Sequence, residues 1–340
     1  MTTFFLNRLA AEPHALAFAG QSTPWPVALA DQTTDPSLDE ALRGHVAAAG
    51  RLLTPVAADL LATTGRPVDL FGFAPNPARL GAAADATASV EGVALTQLGA
   101  LLDLEHLGYS VAQAKPLAVL GHSQGVLAVH MTRAIEAAGS IEAAGTTLDE
   151  ILAVAALIGA AGTRRVRELG LNPKYGEASP MLSVKGATRA QVEALVARVN
   201  NARGPISIAV TNSDNHHVLS GYPEDLAAFA LEAEREHQHQ AKLREQKLHG
   251  GTVFNPTLEY LEVTLPFHSP LMTDAVEQTV AWAGACGFDQ KRTRALAEEV
   301  LLNHVDWNAR VKALFDDADP SKLWIVDLGP GNTLGKLIGN

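Results

Sequence analysis

The run Leu117-Ala118-Val119-Leu120-Gly121-His122-Ser123-Gln124-Gly125-Val126-Leu127-Ala128-Val129 constrains this chain more than any other. An apolar stretch of strand length, from Pro116 to Leu120, turns sharply at Ser123 and continues as a helix over 124–138. A serine at the apex of a strand–turn–helix is a nucleophile elbow. The flanking glycines let backbone approach where a side chain would clash. The hydroxyl is left exposed at a helix N-terminus, whose amides and dipole favour developing negative charge. A serine N-cap after a buried strand can give the same five letters. Strand before and helix after favour the elbow, and with it acyl chemistry.

The pattern around it alternates strands and helices, as a parallel α/β sheet requires. His14–Phe18 reads as a first strand ending at Gly20-Gln21, with Pro24 and Pro26 restarting the chain. Residues 37–64 read as two helices and 86–107 as a third, with apolar residues at helical spacing. Gly139–Thr147 reads as a small-residue connection before a long helix, Leu148–Leu169. Gly159 and Gly162 inside that helix predict something packed closely against it. From Pro180 the character changes: strands at 181–184, 206–210, 217–220 and 260–263, with helices over 189–199 and 222–234. That strand–helix–strand–strand–helix–strand order is ferredoxin-like. Segment 235–255, polar with His and Lys, reads as an exposed loop. A helix over His268–Trp282 and a strand over Leu323–Asp327 then resume the first pattern. The expected division is 1–179 with 265–340 as one α/β-hydrolase-like core and 180–264 as a ferredoxin-like insert. The stop at Gly339-Asn340, just after a helix begins, suggests a segment of a longer polypeptide.

Composition narrows the function classes. The net charge of −11 argues against nucleic acid and against an anionic membrane surface. No apolar run reads as long enough to span a bilayer, and the N-terminus lacks the pattern of a signal peptide. The single cysteine, Cys286, cannot form an internal disulfide and fits a reduced cytoplasmic thiol.

A serine at pH 7 needs a base. His122 adjoins Ser123 but points away from it on a turn. His216, His217, His237, His239 and His249 read as solvated loop residues whose spacing matches no metal site, so no metal is expected. His268 differs. It lies in Leu265-Pro266-Phe267-His268-Ser269-Pro270, where two prolines fix the backbone at a strand–helix junction. The amide of Gln124 can serve a developing oxyanion, and the Gly20-Gln21 turn is the natural source of a second donor.

Phe18-Ala19-Gly20-Gln21, the Ser123 elbow, Pro266–Met272, Val305-Asp306-Trp307 and Asp327–Gly331 together resemble the acyltransferases of fatty-acid and polyketide synthesis (the malonyl/acetyl-CoA:acyl-carrier-protein transacylase family). The likeness is strongest to the N-terminal acetyltransferase domain of actinobacterial type I fatty acid synthases. It implies a Ser–His dyad of Ser123 and His268, with the histidine oriented by a backbone carbonyl from Leu301–His304. It implies oxyanion donors at the amides of Gln21 and Gln124, and substrate contacts at His122 and Asn212. The implied reaction is ping-pong: acetyl-CoA acylates Ser123, and the phosphopantetheine thiol of an acyl carrier protein takes the acyl group. No cofactor is permanently bound, and the implied partners include the other synthase domains.

The acyl group is read from two positions. Malonyl-transferring members carry Leu after the serine and an arginine on the following long helix, whose fork pairs with the malonyl carboxylate. Here those positions hold Gln124 and Ile158. An unpaired buried carboxylate would cost several kcal/mol, so Ile158 predicts a small neutral acyl group. Arg164 and Arg165 lie further along and read as a solvated helix end. A malonyl or longer-acyl transferase of the same family, an α/β-hydrolase acting as esterase or thioesterase, and a non-catalytic scaffold are the alternatives.

Overall fold

A computed structural model describes residues 9, 11–21, 23–65, 86–171, 178–200, 205–247 and 253–338. The elements in chain order are β1 (His14–Phe18), α1 (Trp25–Gln32), α2 (Pro36–Leu52), α3 (Ala57–Thr64), α4 (Ala86–His106), α5 (Val111–Ala114), β2 (Ala118–Gly121), α6 (Val126–Ala138) and α7 (Ile141–Glu168). Then come β3 (Met181–Lys185), α8 (Arg189–Asn200), β4 (Ser207–Ser213), β5 (His216–Ser220), α9 (Pro223–Glu245) and β6 (Thr257–Tyr260). The chain closes with α10 (Thr273–Ala285), α11 (Gln290–Leu301), β7 (Val305–Asp306), α12 (Trp307–Asp317), β8 (Trp324–Asp327) and α13 (Thr333–Ile338).

Three strands in the order β2-β1-β8 form a parallel sheet. Its central strand, β1, is buried along its whole length, so it reads as a continuous apolar run rather than an alternating one. Helices cover the sheet, which makes this an α/β fold. The apolar helix α7 runs through the middle, packed by α2, α4, α6 and α10. The glycines in it do what the sequence suggested. A Cβ on Gly159 would sit 2.5 Å from the Ala86 carbonyl oxygen, and one on Gly162 would strike the Leu265 side chain.

A second sheet has the order β6-β3-β5-β4-β7. Its first four strands are mutually antiparallel and follow the ferredoxin-like order, with α8 and α9 on one face. Alternation along these strands separates two surfaces. Leu182, Val184 and Leu219 face Val192, Leu195, Leu226 and Phe229 in a core of their own. Met181, Ser183, Val210, Asn212, His216 and Val218 face the other way, toward Ser123. The edge strand β7 pairs in parallel with β4.

Several boundaries differ from the sequence reading. Residues 139–147 are not a connection. The long helix starts at Ile141, because the Ser140 side chain accepts from the Ala143 amide and caps it. At 28 residues this helix is long and apolar enough to cross a membrane, contrary to the expectation that no run is, but two thirds of its most apolar window is buried by neighbouring helices. Where the prolines restart the chain, Pro24 caps α1 and Pro26 sits in its first turn, where proline is tolerated. The expected loop at 235–255 is helical through Glu245, supported by Gln238→Glu234 and Gln240→Glu236 side-chain bonds. The closing strand is Thr257–Tyr260, not 260–263. The helix expected from His268 begins as a single tight turn at Pro270–Met272 and becomes α-helical at Thr273.

Candidate active site

Ser123 lies two residues past β2 and opens a tight turn, Ser123–Gly125, that leads into α6. Its φ of 53° is left-handed, a conformation unusual for serine and held only by its surroundings. Those surroundings are backbone. A Cβ on Gly121 would lie 2.5 Å from the Val126 nitrogen, and one on Gly125 would collide with the Phe18 carbonyl group. Gly20, at the end of β1, lies against the elbow: a Cβ there would be 2.7 Å from the His122 oxygen and 2.8 Å from the Ser123 Cβ. Three glycines thus let the β1 turn close over the serine.

The serine hydroxyl meets His268. Ser123 Oγ lies 2.7 Å from His268 Nε2. The other ring nitrogen, Nδ1, is 2.8 Å from the Asn303 carbonyl oxygen. A carbonyl only accepts, so Nδ1 carries the proton and Nε2 presents its lone pair to the serine O–H. His268 is 2 % exposed, and its φ is 57°. Burial pushes its pKa down to about 3. The nearby His122, His304 and Arg310 push the same way, and the Asn303 carbonyl opposes them. The imidazole is therefore neutral at pH 7, the form that can accept a proton.

The residues expected around this pair divide into those at the cavity and those away from it. Gln21, His122 and Asn212 line a cavity of about 200 Å³ that opens from Ser123. Gln124 is fully buried just behind it. The Gln21 side-chain amide donates to Gln124 Oε1, and Gln124 Nε2 donates to the Val90 carbonyl. These bonds fasten the β1 turn, the elbow and α4 together. His122 Nε2 reaches Asn212 Oδ1 at 2.7 Å, and its ring packs edge-on against Trp307. His122 is thus a bridge to the second sheet and points away from the serine. Burial holds its pKa below the usual histidine range.

Ile158 is a correction. It is fully buried in α7 within the main core and does not line the cavity beside Ser123. Arg164 and Arg165 also lie away from it, near α10; Arg165 pairs with Asp274 at 2.8 Å, and Arg164 pairs with Glu168 at 2.9 Å. The expectation of solvated loop histidines fails for His216 and His217, which lie in β5. His216 lines the cavity, and burial pushes its pKa down to about 4. Its neutral Nε2 accepts from Ser183 Oγ at 3.0 Å and Asn212 Nδ2 at 3.5 Å. His217 is fully buried on the opposite side of the strand. His249 lies outside the described residues. Among the described residues no cluster of His, Cys, Asp or Glu could hold a metal ion.

The chain is similar to several known proteins. The fatty acid synthase central AT domain family matches residues 180–260. The fatty acid synthase beta subunit TOXC of Cochliobolus carbonum is 26% identical over 251 residues, covering 63% of this chain and 12% of that protein. Fatty acid synthase 2 of Mycosarcoma maydis is 29% identical over 168 residues, covering 46% of this chain and 4% of that protein. The malonyl CoA-acyl carrier protein transacylase of Coxiella burnetii superposes with a TM-score of 0.63 at 17% identity, over 96% of this chain and 90% of that one. FabD of Acinetobacter baumannii gives 0.59 at 19% identity, over 96% and 90%. The chain is thus similar to the acyltransferase part of fatty acid synthases, most directly over residues 180–260. It spans a small fraction of the curated synthases it matches, and at these identities the solved structures show its fold.

Some residues that build the site were invisible in sequence. Gln97, midway along α4, donates to the carbonyls of Ala19 at 2.6 Å and Gly329 at 3.1 Å, fixing the turn that carries Gln21. A glutamine in an apolar helical run gives no hint of that partner. Asn303 acts through its carbonyl, so its side chain left no signal, although the right four-residue segment was expected from the resemblance. Arg310 Nη1 donates to the Gly121 carbonyl at 2.6 Å, joining α12 to the strand that ends in the elbow.

Proposed function

We propose that this domain transfers an acyl group from coenzyme A to the phosphopantetheine thiol of an acyl carrier protein, with Ser123 as nucleophile and His268 as base. The single observation that carries the reading is the line Ser123 Oγ, His268 Nε2, His268 Nδ1 and Asn303 O, with separations of 2.7 and 2.8 Å. Ser123 Oγ attacks the thioester carbonyl as Nε2 takes its proton. Charge collects on the carbonyl oxygen, where the amides of Gln124 and Gln21 are assigned as donors. The carbon–sulfur bond breaks, and the imidazolium returns its proton to the departing thiolate. In the second half the carrier thiol gives its proton to Nε2, attacks the acyl-serine, and the proton passes back to Ser123 Oγ.

The acyl group we assign is acetyl, for a priming role in fatty acid synthesis. Support comes from the cavity, where Met181, Val210, Val218, Leu261, Val263 and Phe267 form an apolar wall. The lysine on its lining, Lys185, is paired with Glu259 at 3.1 Å. Such a wall favours a small neutral group over a carboxylate. Ile158 supports the reading by lacking a charge, not by contact. His122 and Asn212 are assigned to shape the channel, and residues 180–264 to the subdomain that covers it.

Intact-mass measurement after mixing with acetyl-CoA or malonyl-CoA tests this reading. An acetyl adduct at Ser123, discharged by a holo carrier protein, is the expected result. Rapid labelling by malonyl-CoA alone overturns the acetyl assignment. Rapid hydrolysis of the adduct without carrier favours a thioesterase or esterase.

A further inference from the structure

Ser123 opens onto a second cleft, of about 500 Å³, on the outer side of β2. Val119, Leu120 and Gly121 form its floor, α6 one wall, and the segment from Glu299 to Arg310 the other. This cleft differs in chemistry from the apolar cavity. Arg133 and Arg310 project into its lining together with His130 and His304. Its one carboxylate, Glu299, is taken up by His130 at 3.2 Å. Among the described residues neither guanidinium has a carboxylate partner, and Arg310 spends one N–H on the Gly121 carbonyl. Two guanidinium groups with no carboxylate partner among the described residues, in one cleft of a chain with net charge −11, mark an anion site rather than a general surface property.

The spacing limits which anion. Arg133 lies seven residues into α6 from Val126, about 10 Å along the helix at 1.5 Å per residue, and the Ser123–Gly125 turn adds about 6 Å at 2.0 Å per residue. A pantetheine arm is comparable to five extended residues, about 16 Å. A thioester sulfur at Ser123 therefore sets the phosphate at the far end of the arm beside Arg133. We propose that this cleft binds the phosphate of phosphopantetheine, the group shared by coenzyme A and the carrier prosthetic arm, with Arg133 as its principal contact and Arg310 supporting the arm near the serine. The inference rests on the acyl-transfer reading for its choice of ligand. It requires the arm to reach Ser123 from the β2 side while the acyl group enters the apolar cavity on the other.

Calorimetric binding of pantetheine, 4′-phosphopantetheine and coenzyme A to the intact chain tests it without turnover. Phosphopantetheine and coenzyme A should bind about tenfold or more tightly than pantetheine, with a gap that shrinks as salt rises. Arg133 is exposed on its helix, so Arg133→Gln and Arg133→Glu should fold and should close that gap. Equal affinity for pantetheine and phosphopantetheine, or a gap that survives Arg133→Glu, overturns the proposal. A gain confined to coenzyme A also overturns it, because the nucleotide end would then be the bound part. Phosphate-dependent binding in this cleft without any acylation of Ser123 would refute the transferase reading and leave the cleft standing. Acylation without phosphate-dependent binding would do the reverse.

Discussion

Ser123 and His268 approach to 2.7 Å with both backbones in the left-handed region, at φ 53° and 57°. Two non-glycine residues held in that conformation on facing elements are expensive to arrange, of order 1–3 kcal/mol each. The surrounding turn, the Asn303 carbonyl and the glycine contacts over-determine their positions. The backbone strain sits at the two residues whose side chains would exchange a proton.

Removing either partner should abolish transfer to a similar extent. Ser123→Ala and His268→Ala should each lower kcat by roughly a thousand-fold or more, and the double variant should be little worse than either single. Steady-state kinetics with a holo carrier protein measures this. Additive losses would mean that the two side chains do not act as one unit.

The depressed pKa of His268 gives a signed pH dependence. The unfolded chain takes up a proton near the ordinary histidine value of 6.5, while the folded protein resists until about 3. Stability is therefore fully present above about 6.5 and falls as pH drops toward 3. This group contributes up to about 1.4 kcal/mol per pH unit. His216, with its pKa pushed down to about 4, adds to the slope in the same direction. Urea unfolding between pH 4 and 7 should show a shallower slope in His268→Gln than in the parent. An unchanged slope would show that His268 titrates normally.

The Gln21–Gln124–Val90 hydrogen bonds should matter for rate more than for substrate affinity. Gln124→Leu keeps the volume but strands the Val90 carbonyl and releases the Gln21 side chain. Leaving such groups unpaired costs about 1–3 kcal/mol. We expect a lower Tm and a kcat reduced by about tenfold, with KM nearly constant, since the loss falls on the donors poised for the transition state. A change in KM alone would place these glutamines in ground-state binding.

Glycine substitutions should separate the elbow from the helices. Gly125→Ala forces a methyl against Phe18, whose carbonyl carbon would be 2.7 Å away, and backbone cannot move aside cheaply. Overpacking of this kind costs typically about 1–3 kcal/mol or more. Gly145→Ala, in α7 with nothing within 4 Å, should stabilise the protein by up to about 1 kcal/mol. Thermal melts of the two variants should move in opposite directions.

The parts of this fold legible in sequence were those with local causes. The buried run His14–Phe18, the Gly-x-Ser-x-Gly turn and the apolar period of 86–107 each carry their own explanation, and the two prolines around His268 singled it out among twelve histidines. What was misread depended on partners or on capping. Ser140 turned a stretch of small residues into the first turns of a helix. Ile158, placed by analogy along α7, is turned into the core. His216 was taken for a loop residue because its polarity hid a strand whose alternate side chains face the cavity. The cleft lined by Arg133 and Arg310 was invisible, because its walls come from two helices far apart in sequence.

The two-residue strand Val305–Asp306 pairs with β4, and the carbonyl that aims His268 lies just before it. One consequence is temporal. As the chain emerges from a ribosome, Ser123 appears early and unarmed, then the second sheet, then His268, and only afterwards the peptide that orients the imidazole. A nascent chain therefore has no oriented base for its serine until Asn303 has been made and β7 has docked beside β4, some 180 residues after the serine.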